Sequence, residues 1–445
     1  MRIVDVKDMG LSAVEKLLKK PAFDQVELNP RIREANKKLF GEDLTAAQIV
    51  DRIVGEVRRD GDAAVIKYTK LIDRTEFTPE EFLVTEAEYE AAYREADADV
   101  VASLKKAAEN VRQYHQEQKP NSWMTYRDHG SILGQSVIPL DRVGIYVPGG
   151  TAAYPSSVIM NAMPAVVAGV REIIMMVPPK NGKINPYVLV AAREAGVSKI
   201  FKIGGAQAIA AMAFGTETIP RVDKITGPGN IFVTLAKKAV YGHCDIDMLA
   251  GPSEILIVAD RTADPAYTAA DMLSQAEHDM LASSIVITDS AELAGKVAEE
   301  AEKQLKELPR EEITRASLDR NGLIIIAEDI MQAVELANVS APEHMEILTE
   351  QPFQLLPYVR HAGAVFLGAY SPEPLGDYFA GPNHVLPTGG TARYYSVLNV
   401  ETFMKRTSII SYTQAQLDAV SEDVIRLAEA EGLQAHANAV RLRKL

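Results

Sequence analysis

The stretch Leu140–Gly150, LDRVGIYVPGG, decides the fold. Val143 to Val147 is a short apolar run that stops at Pro148-Gly149-Gly150. A run this short, closed by proline and glycine, reads as a buried strand rather than a helix. Before it the pattern is mainly helical from residue 1 to about 140: LTAAQIVDRIVGEVRRDGDAAVIKYTKLID, residues 44–73, places apolar residues three and four apart. After it strands and helices alternate. EIIMMVP (172–178), SKIFKIG (198–204) and VDKIT (222–226) read as strands. NPYVLVAAREAG, AQAIAAMAFG and GNIFVTLAKKAV read as the helices beside them. The alternation resumes at SEILIVAD (253–260) and runs through SSIVITDS, NGLIIIAED, MEILTE and AGAVFLG. Short apolar strands split by longer helices mean parallel sheets covered on both faces. Two such blocks predict two α/β units with a boundary near residue 250. A Pro/Gly-rich segment, residues 370–395, separates the second block from a C-terminal part that reads as helices. Unstructured loops longer than about 15 residues in a compact domain are usually functional.

The chain has 445 residues, 47% of them apolar and 24% charged, which suits a soluble protein with a large core. Its net charge of -14 argues against a nucleic-acid or anionic-membrane partner, since phosphate needs a basic surface. The single cysteine, Cys244, allows no intramolecular disulfide and no cysteine zinc site. Its place in GHCDIDML reads as packing in preference to a nucleophile. The first residues, MRIVDVKDMG, meet Asp and Lys at once and show no signal peptide. No run is apolar and long enough to span a bilayer. The expectation is a cytoplasmic protein.

Eight histidines can be weighed one by one. His115, His129, His243 and His361 have no chemical neighbour in sequence and read as packing or surface residues. His278, in SQAEHD, closes a helix whose N-cap is Asp264 and whose first residue is Pro265. Gln275 and His278 are three apart and share a face, with Asp271 on the same stripe as a competitor. That spacing fits either a divalent ion or a solvated polar face. Asp377 and His384 lie in the long loop GDYFAGPNHVLP, where they serve either chemistry or turn structure. His436 stands five residues after Glu431 near the C-terminus. Glu343 and His344 are adjacent in SAPEHMEI, so their side chains are expected to diverge. No GxGxxG follows a predicted strand. The glycine-rich stretches YVPGG, IGGAQA and GPGN nevertheless stand at strand-to-helix passages, where they are either ligand sites or tight turns. The residues alone reach an α/β enzyme, with or without a metal, or a small-molecule-binding or scaffold protein without catalysis.

Taken together these stretches resemble the histidinol dehydrogenase family. The resemblance rests on DRVGIYVPGGTAAYPSSVIMNAMPAVVAGV, GGAQAIAAMAFGTETIPRVDKITGPGN, DMLAGPSEILIVAD, LSQAEHDMLASSIVIT, SAPEHMEI and GPNHVLPTGGTARYYSVLNVETFMKRTSI. It covers nearly the whole chain and is weakest over the first 40 residues. It implies an α/β fold with two parallel-sheet, incomplete Rossmann-like domains and helical N- and C-terminal extensions. The expected organisation is a helical segment 1–40 packed on the C-terminal part, a discontinuous first α/β domain (41–144 and 251–390), and an NAD-binding second domain (145–250). A helical region 391–445 would intertwine with the partner subunit of a homodimer. The implied activity is NAD-dependent, zinc-requiring oxidation of L-histidinol through the aldehyde to L-histidine, with one zinc per subunit. A related zinc and NAD enzyme acting on another small polar alcohol is the alternative. The implied metal ligands are Gln275, His278, Asp377 and His436, the last from the partner. Ser253, His344, His384 and Glu431 join these ligands as implied substrate contacts. Tyr146, Gln207 and Asn230 are the implied cofactor contacts. Glu343 and His344 are the implied catalytic pair.

Overall fold

The structure, a computed structural model, describes residues 1–20, 30–149 and 153–444. Gly150, the last residue of the opening stretch, lies outside the described residues, as do 21–29 of the expected N-terminal segment. Fourteen strands follow in chain order among the described residues. They are β1 (Arg2–Asp5), β2 (Trp123–Tyr126), β3 (Ile132–Pro139), β4 (Arg142–Tyr146), β5 (Glu172–Met176), β6 (Lys199–Phe201) and β7 (Lys224–Thr226). The rest are β8 (Asp245–Ile246), β9 (Glu254–Ala259), β10 (Ser283–Thr288), β11 (Leu323–Ile326), β12 (His344–Leu348), β13 (Ala364–Leu367) and β14 (Met404–Ser411).

They form two parallel sheets and one antiparallel ribbon. The first sheet runs β1-β11-β10-β9-β12-β13, the second β6-β5-β4-β7-β8, and the ribbon β14-β3-β2. All neighbours in the first two sheets are parallel. Every residue of β9, β10 and β12 is buried, because helices cover both faces of the sheet. β9 and β10 therefore read as largely continuous apolar runs instead of alternating ones, which is why they stood out in the sequence, while β12 buries His344 and Glu346 among its apolar residues. Asp264 caps the helix Pro265–Ala276 as its sequence predicts, its carboxylate accepting from Ala266 N at 2.7 Å.

Three expectations are corrected. The N-terminal segment is not only helical, and its first described residues pack on the six-stranded sheet. Its first residues are β1, paired in parallel with β11 (Arg2 opposite Leu323), and helix Leu11–Leu18 packs against helix Ile330–Ser340. Val4, Val6, Val14 and Leu18 drive this, buried with Leu256 and Ile287. A four-residue strand is too short to show a period in sequence.

Second, much of the 41–144 segment packs on the five-stranded sheet, and it reaches residues 251–390 where Asn110 donates to the Phe379 carbonyl and His115 lies beside Asn383. Helices Ala46–Asp60 and Asp62–Asp73 bury Ile49, Ile53, Val57 and Val65 with Ile174, Ile209 and Met212. Helix Ala98–Glu117 buries Ala107 and Val111 on the opposite face with Val158 and Val188. A helix's apolar stripe says that it must pack, not on which sheet. Third, the C-terminal region is not purely helical, and the mainly helical segment up to 140 ends in the strands β2 and β3. β3 pairs in antiparallel fashion with β14, Ile132 opposite Ser411, so residues far apart in sequence make one ribbon.

The docking of the N-terminus is testable. Leu18 is fully buried, whereas Leu11 is 44% exposed. Leu18→Ala is expected to lower stability by about 2–5 kcal/mol in denaturant unfolding, and Leu11→Ala by less than about 1 kcal/mol.

Candidate active site

β4, β6 and β7 each end in one of the glycine-rich turns. The chain runs from β4 through β5 to β6 on one side, then returns to place β7 and β8 on the other. The order therefore switches between β4 and β7, and ligands of open α/β sheets bind in the crevice beyond the strand ends at such a point. Gly227 sits there at φ 113°, and a Cβ on it would lie 2.1 Å from the Tyr146 carbonyl oxygen, so only glycine fits. The buried Tyr146 hydroxyl accepts from Gly205 N at 3.1 Å and links the first and second turns. Burial raises that phenol. Gln207 is fully buried; its Nε2 donates to Asp73 Oδ2 at 3.2 Å and its Oε1 has no protein partner. Asn230 caps the helix Ile231–Val240, accepting from Phe232 N and Val233 N. The three sequence-predicted cofactor residues thus share one edge of one sheet.

The six-stranded sheet offers its opposite edge. Glu254 begins β9 and His344 begins β12, and the two strands are in register with His344 opposite Ile255. Helix Pro265–Ala276 runs back beside them, so Gln275 and His278 return to the same edge. Ser253 stands immediately before Glu254. The Glu254 backbone meets both members of the acid–base pair. Its N–H donates to Glu343 Oε2 at 2.8 Å, and its carbonyl accepts from His344 Nδ1 at 2.9 Å. The two side chains, expected to diverge, instead converge on this one residue, with Nδ1 3.7 Å from Oε2. A carbonyl can only accept, so Nδ1 carries the hydrogen and Nε2 is the basic nitrogen of the neutral ring. Nε2 is buried without a hydrogen-bond partner, 3.7 Å from Asp377 Oδ1. Burial pushes Glu343 up to about 8, against the pull of His344. Burial alone would lower His344, but the Glu343 and Asp377 carboxylates outweigh it and raise the imidazole to about 10.

Beside this pair lies a cluster of ligating groups. His278, Glu373 and Asp377 each offer an atom within 4.8 Å of the others. Asp377 stays ionised: burial opposes this, but His344, His384 and His278 hold its carboxyl low. Burial raises Glu373, against His344; Ser274 Oγ donates to its Oε2 at 2.7 Å, and its N–H donates to Glu346 Oε1 at 2.8 Å. His384 Nδ1 donates to the Asp377 carbonyl at 3.0 Å, and its Nε2 lies 3.3 Å from Ser157 Oγ. Ser157 belongs to the first turn of the helix Pro155–Ala168 that follows the β4 turn, so the cluster reaches the edge that carries Tyr146, Gln207 and Asn230. Gln275 is fully buried with both amide atoms unpartnered. A buried amide with no partner is costly, and a cation would satisfy its oxygen. Imidazole, carboxylate and amide oxygen form a nitrogen–oxygen set that zinc accepts, so the residues fit the metal.

Glu373 was missed in sequence. Glu373 and Asp377 are four apart on the short helix Glu373–Tyr378, a spacing that points both carboxylates the same way. Asp271, the competitor, instead faces Glu346 and lies outside the cluster; burial raises it to about 6. Glu431 and His436 are exposed, at the end of helix Gln414–Ala430 and on helix Gln434–Arg441. Neither is among the clustered groups of the single chain. Cys244 is buried among apolar neighbours, and burial pushes its thiol up to about 12, the profile of a packing residue.

Parallel sheets, a buried acid–base pair and an adjacent cation-competent cluster define an α/β enzyme with a candidate metal centre. A family model described as histidinol dehydrogenase matches residues 37–444. The histidinol dehydrogenase of Heliobacterium mobile is 55% identical over 403 residues, 90% of this chain and 94% of that protein. That of Bacillus subtilis is 54% identical over 396 residues, 89% of this chain and 92% of that one. The crystal structure of histidinol dehydrogenase from Elizabethkingia anophelis matches with a TM-score of 0.89 at 35% identity, covering 99% of this chain and 97% of that one. The chain belongs to the histidinol dehydrogenase family and is an oxidoreductase.

Asp73 gives this edge a pH signature. Burial raises its carboxyl to about 6, against a bond from Gly204 N–H. Between the unfolded value near 3.8 and the native value, only the native state keeps the proton. Stability therefore falls as pH rises through that window. Asp73→Asn is expected to flatten this slope and to stabilise the protein at pH 7 by about 1–3 kcal/mol, with no gain below pH 4. Denaturant unfolding at a series of pH values checks it.

Proposed function

We propose that this protein catalyses the last step of histidine biosynthesis, oxidising L-histidinol through L-histidinaldehyde to L-histidine. The observation that carries the reading is the Glu254 backbone aiming Glu343 and His344 beside a cluster that fits zinc. The ligands would be Gln275, His278, Asp377 and the partner subunit's copy of His436, with one zinc per subunit; Glu373 stands within ligand reach. Zinc, when bound, supplies a fixed charge that orients the amino alcohol and offsets the carboxylates that keep His344 protonated. NAD, when bound along Tyr146, Gln207 and Asn230, supplies the hydride acceptor, once for each oxidation.

The chain's own residues do the rest. His344 Nε2 takes the hydroxyl proton as hydride leaves the carbon, giving the aldehyde. Glu343, with Oε2 held by Glu254 N, uses Oε1 to take a proton from the water that adds to the aldehyde. His344 then takes a proton from the hydrate as the second hydride leaves, giving the carboxylate. One alcohol, one water and two NAD become one carboxylate, two NADH and three protons. Ser253, His384 and Glu431 would hold the substrate.

Glu431 and His436 serve this chemistry if a second copy brings them to the cluster. The C-terminal helices support that. Their own core is only Ile425, Ala428 and Ala437, with Val440 partly buried beside them. Leu427, Leu433 and Leu442 remain exposed. We therefore propose a homodimer with shared sites.

Purified protein given zinc, NAD and L-histidinol should form two NADH per substrate; one would indicate an ordinary alcohol dehydrogenase, and none a binding protein. Glu343→Gln should slow aldehyde oxidation by about 10²–10⁴-fold and alcohol oxidation far less. Equal loss in both half-reactions sinks that division of roles. Shared sites predict complementation. His436→Asn and His344→Asn should each be inactive alone, yet mixed subunits should regain up to about a quarter of wild-type activity. No recovery after subunit exchange would place His436 outside the partner's site.

A further inference from the structure

The crevice between β4 and β7 is backed by a buried ion pair that the chemistry above does not use. Lys237, on helix Ile231–Val240, pairs with Asp247, just past β8, and their side chains are 2% and 1% exposed. Both partners grip one residue, Gly227, by the two peptide units that flank it. Lys237 Nζ donates to the Gly227 carbonyl at 2.9 Å, and Asp247 Oδ2 accepts from Gly227 N at 2.8 Å. Asp247 Oδ1 also accepts from Met248 N at 2.6 Å, and Asp247 N donates to the Ile225 carbonyl at 3.2 Å, which ties the carboxylate to the end of β7. Gly227 is the residue packed against the Tyr146 carbonyl.

Burying two charges is costly, and an apolar pair of the same volume often serves stability as well. What the ion pair adds here is direction. Gly227 needs a backbone conformation that favours glycine, and its N–H and C=O would otherwise be buried without partners. A salt bridge that occupies both groups leaves the Gly227-Pro228-Gly229 turn one shape. That turn forms one wall of the crevice and leads to Asn230.

We propose that Lys237 and Asp247 are positioning residues for the dinucleotide: their buried pair sets the Gly227–Asn230 turn in the form that receives it. The inference rests on the reading of the glycine turns as the cofactor edge. Neither residue touches the ligating cluster, so the effect falls on the cofactor alone. The test is the holoenzyme carrying Lys237→Met/Asp247→Asn, which removes both charges and nearly keeps volume. The Kd and KM for NAD should rise about tenfold or more, since small misplacements of a positioning wall are costly. The kcat at saturating NAD should stay within about twofold, and histidinol affinity and zinc content should not change. A general packing defect would instead lower kcat and thermal stability without that split. If the double variant does not fold, the isosteric Asp247→Asn alone should show the same split, smaller in size. Gly229→Ala, whose Cβ would press on Val233 at 2.4 Å, reports on the turn itself. A folded pair variant with wild-type NAD affinity, beside a weakened Gly229→Ala, overturns the positioning role. Wild-type affinity in both overturns the reading of the edge as well.

Discussion

A backbone amide taken out of water must find a partner, and at the first residue of β9 that rule sets the chemistry. Glu254 stands where the ladder with β12 has not yet begun, since the first paired residues are Ile255 and His344. Its N–H and C=O are therefore left for side chains, and the side chains that meet them are Glu343 and His344. Strand register thus sets the geometry of the acid–base pair. One residue's peptide groups fix the carboxylate oxygen, the imidazole tautomer and the separation of the two. The Glu254 side chain continues inward: it accepts from Gly389 N at 3.1 Å and lies 3.8 Å from Lys20 Nζ, so the Gly/Pro segment and the N-terminus both lean on it.

The two sheets meet the site with opposite ends. The five-stranded sheet presents the C-terminal ends of β4, β6 and β7, the usual place for a ligand of an open α/β sheet. The six-stranded sheet presents the N-terminal ends of β9 and β12, which is not. This arrangement lets two kinds of chemistry face each other. Turns with backbone freedom lie on one side; rigid strand beginnings that aim titratable groups lie on the other. The His384–Ser157 contact is where the two sides touch.

Much of this was legible in the sequence because parallel strands buried on both faces leave unbroken apolar runs; β5, β9, β10 and β11 each showed one. Gln275, His278, Asp377 and His384 were legible as polar residues placed where the fold returns to one edge. What was not legible depends on partners distant in sequence. β1 has four residues and no period. β2 and β14 are exposed on much of their length and β3 is half-buried over most of its own, so neither helical nor strand spacing stands out. The helices between 46 and 117 announce an apolar stripe but not the sheet they cover. Glu373 sits in a proline-rich stretch that reads as loop, and only its fold into a single helical turn pairs it with Asp377. The Lys237–Asp247 pair leaves no trace in sequence, because a lysine in an amphipathic helix reads as surface.

The first strand carries a consequence for how the protein comes off the ribosome. β1 is made before its neighbour β11, which follows about 320 residues later, Arg2 pairing with Leu323. At roughly 5–20 residues per second, synthesis leaves β1 and the apolar face of helix Leu11–Leu18 without their sheet for roughly 15–60 s. The five-stranded sheet is complete by β8, and the face covered by helices Ala46–Asp60 and Asp62–Asp73 can close in that interval, whereas the other face waits for Val385, Leu398, Val400 and Phe403. The nascent chain therefore carries a partly folded middle and a waiting N-terminus, and a segment in that position is a natural client for chaperones.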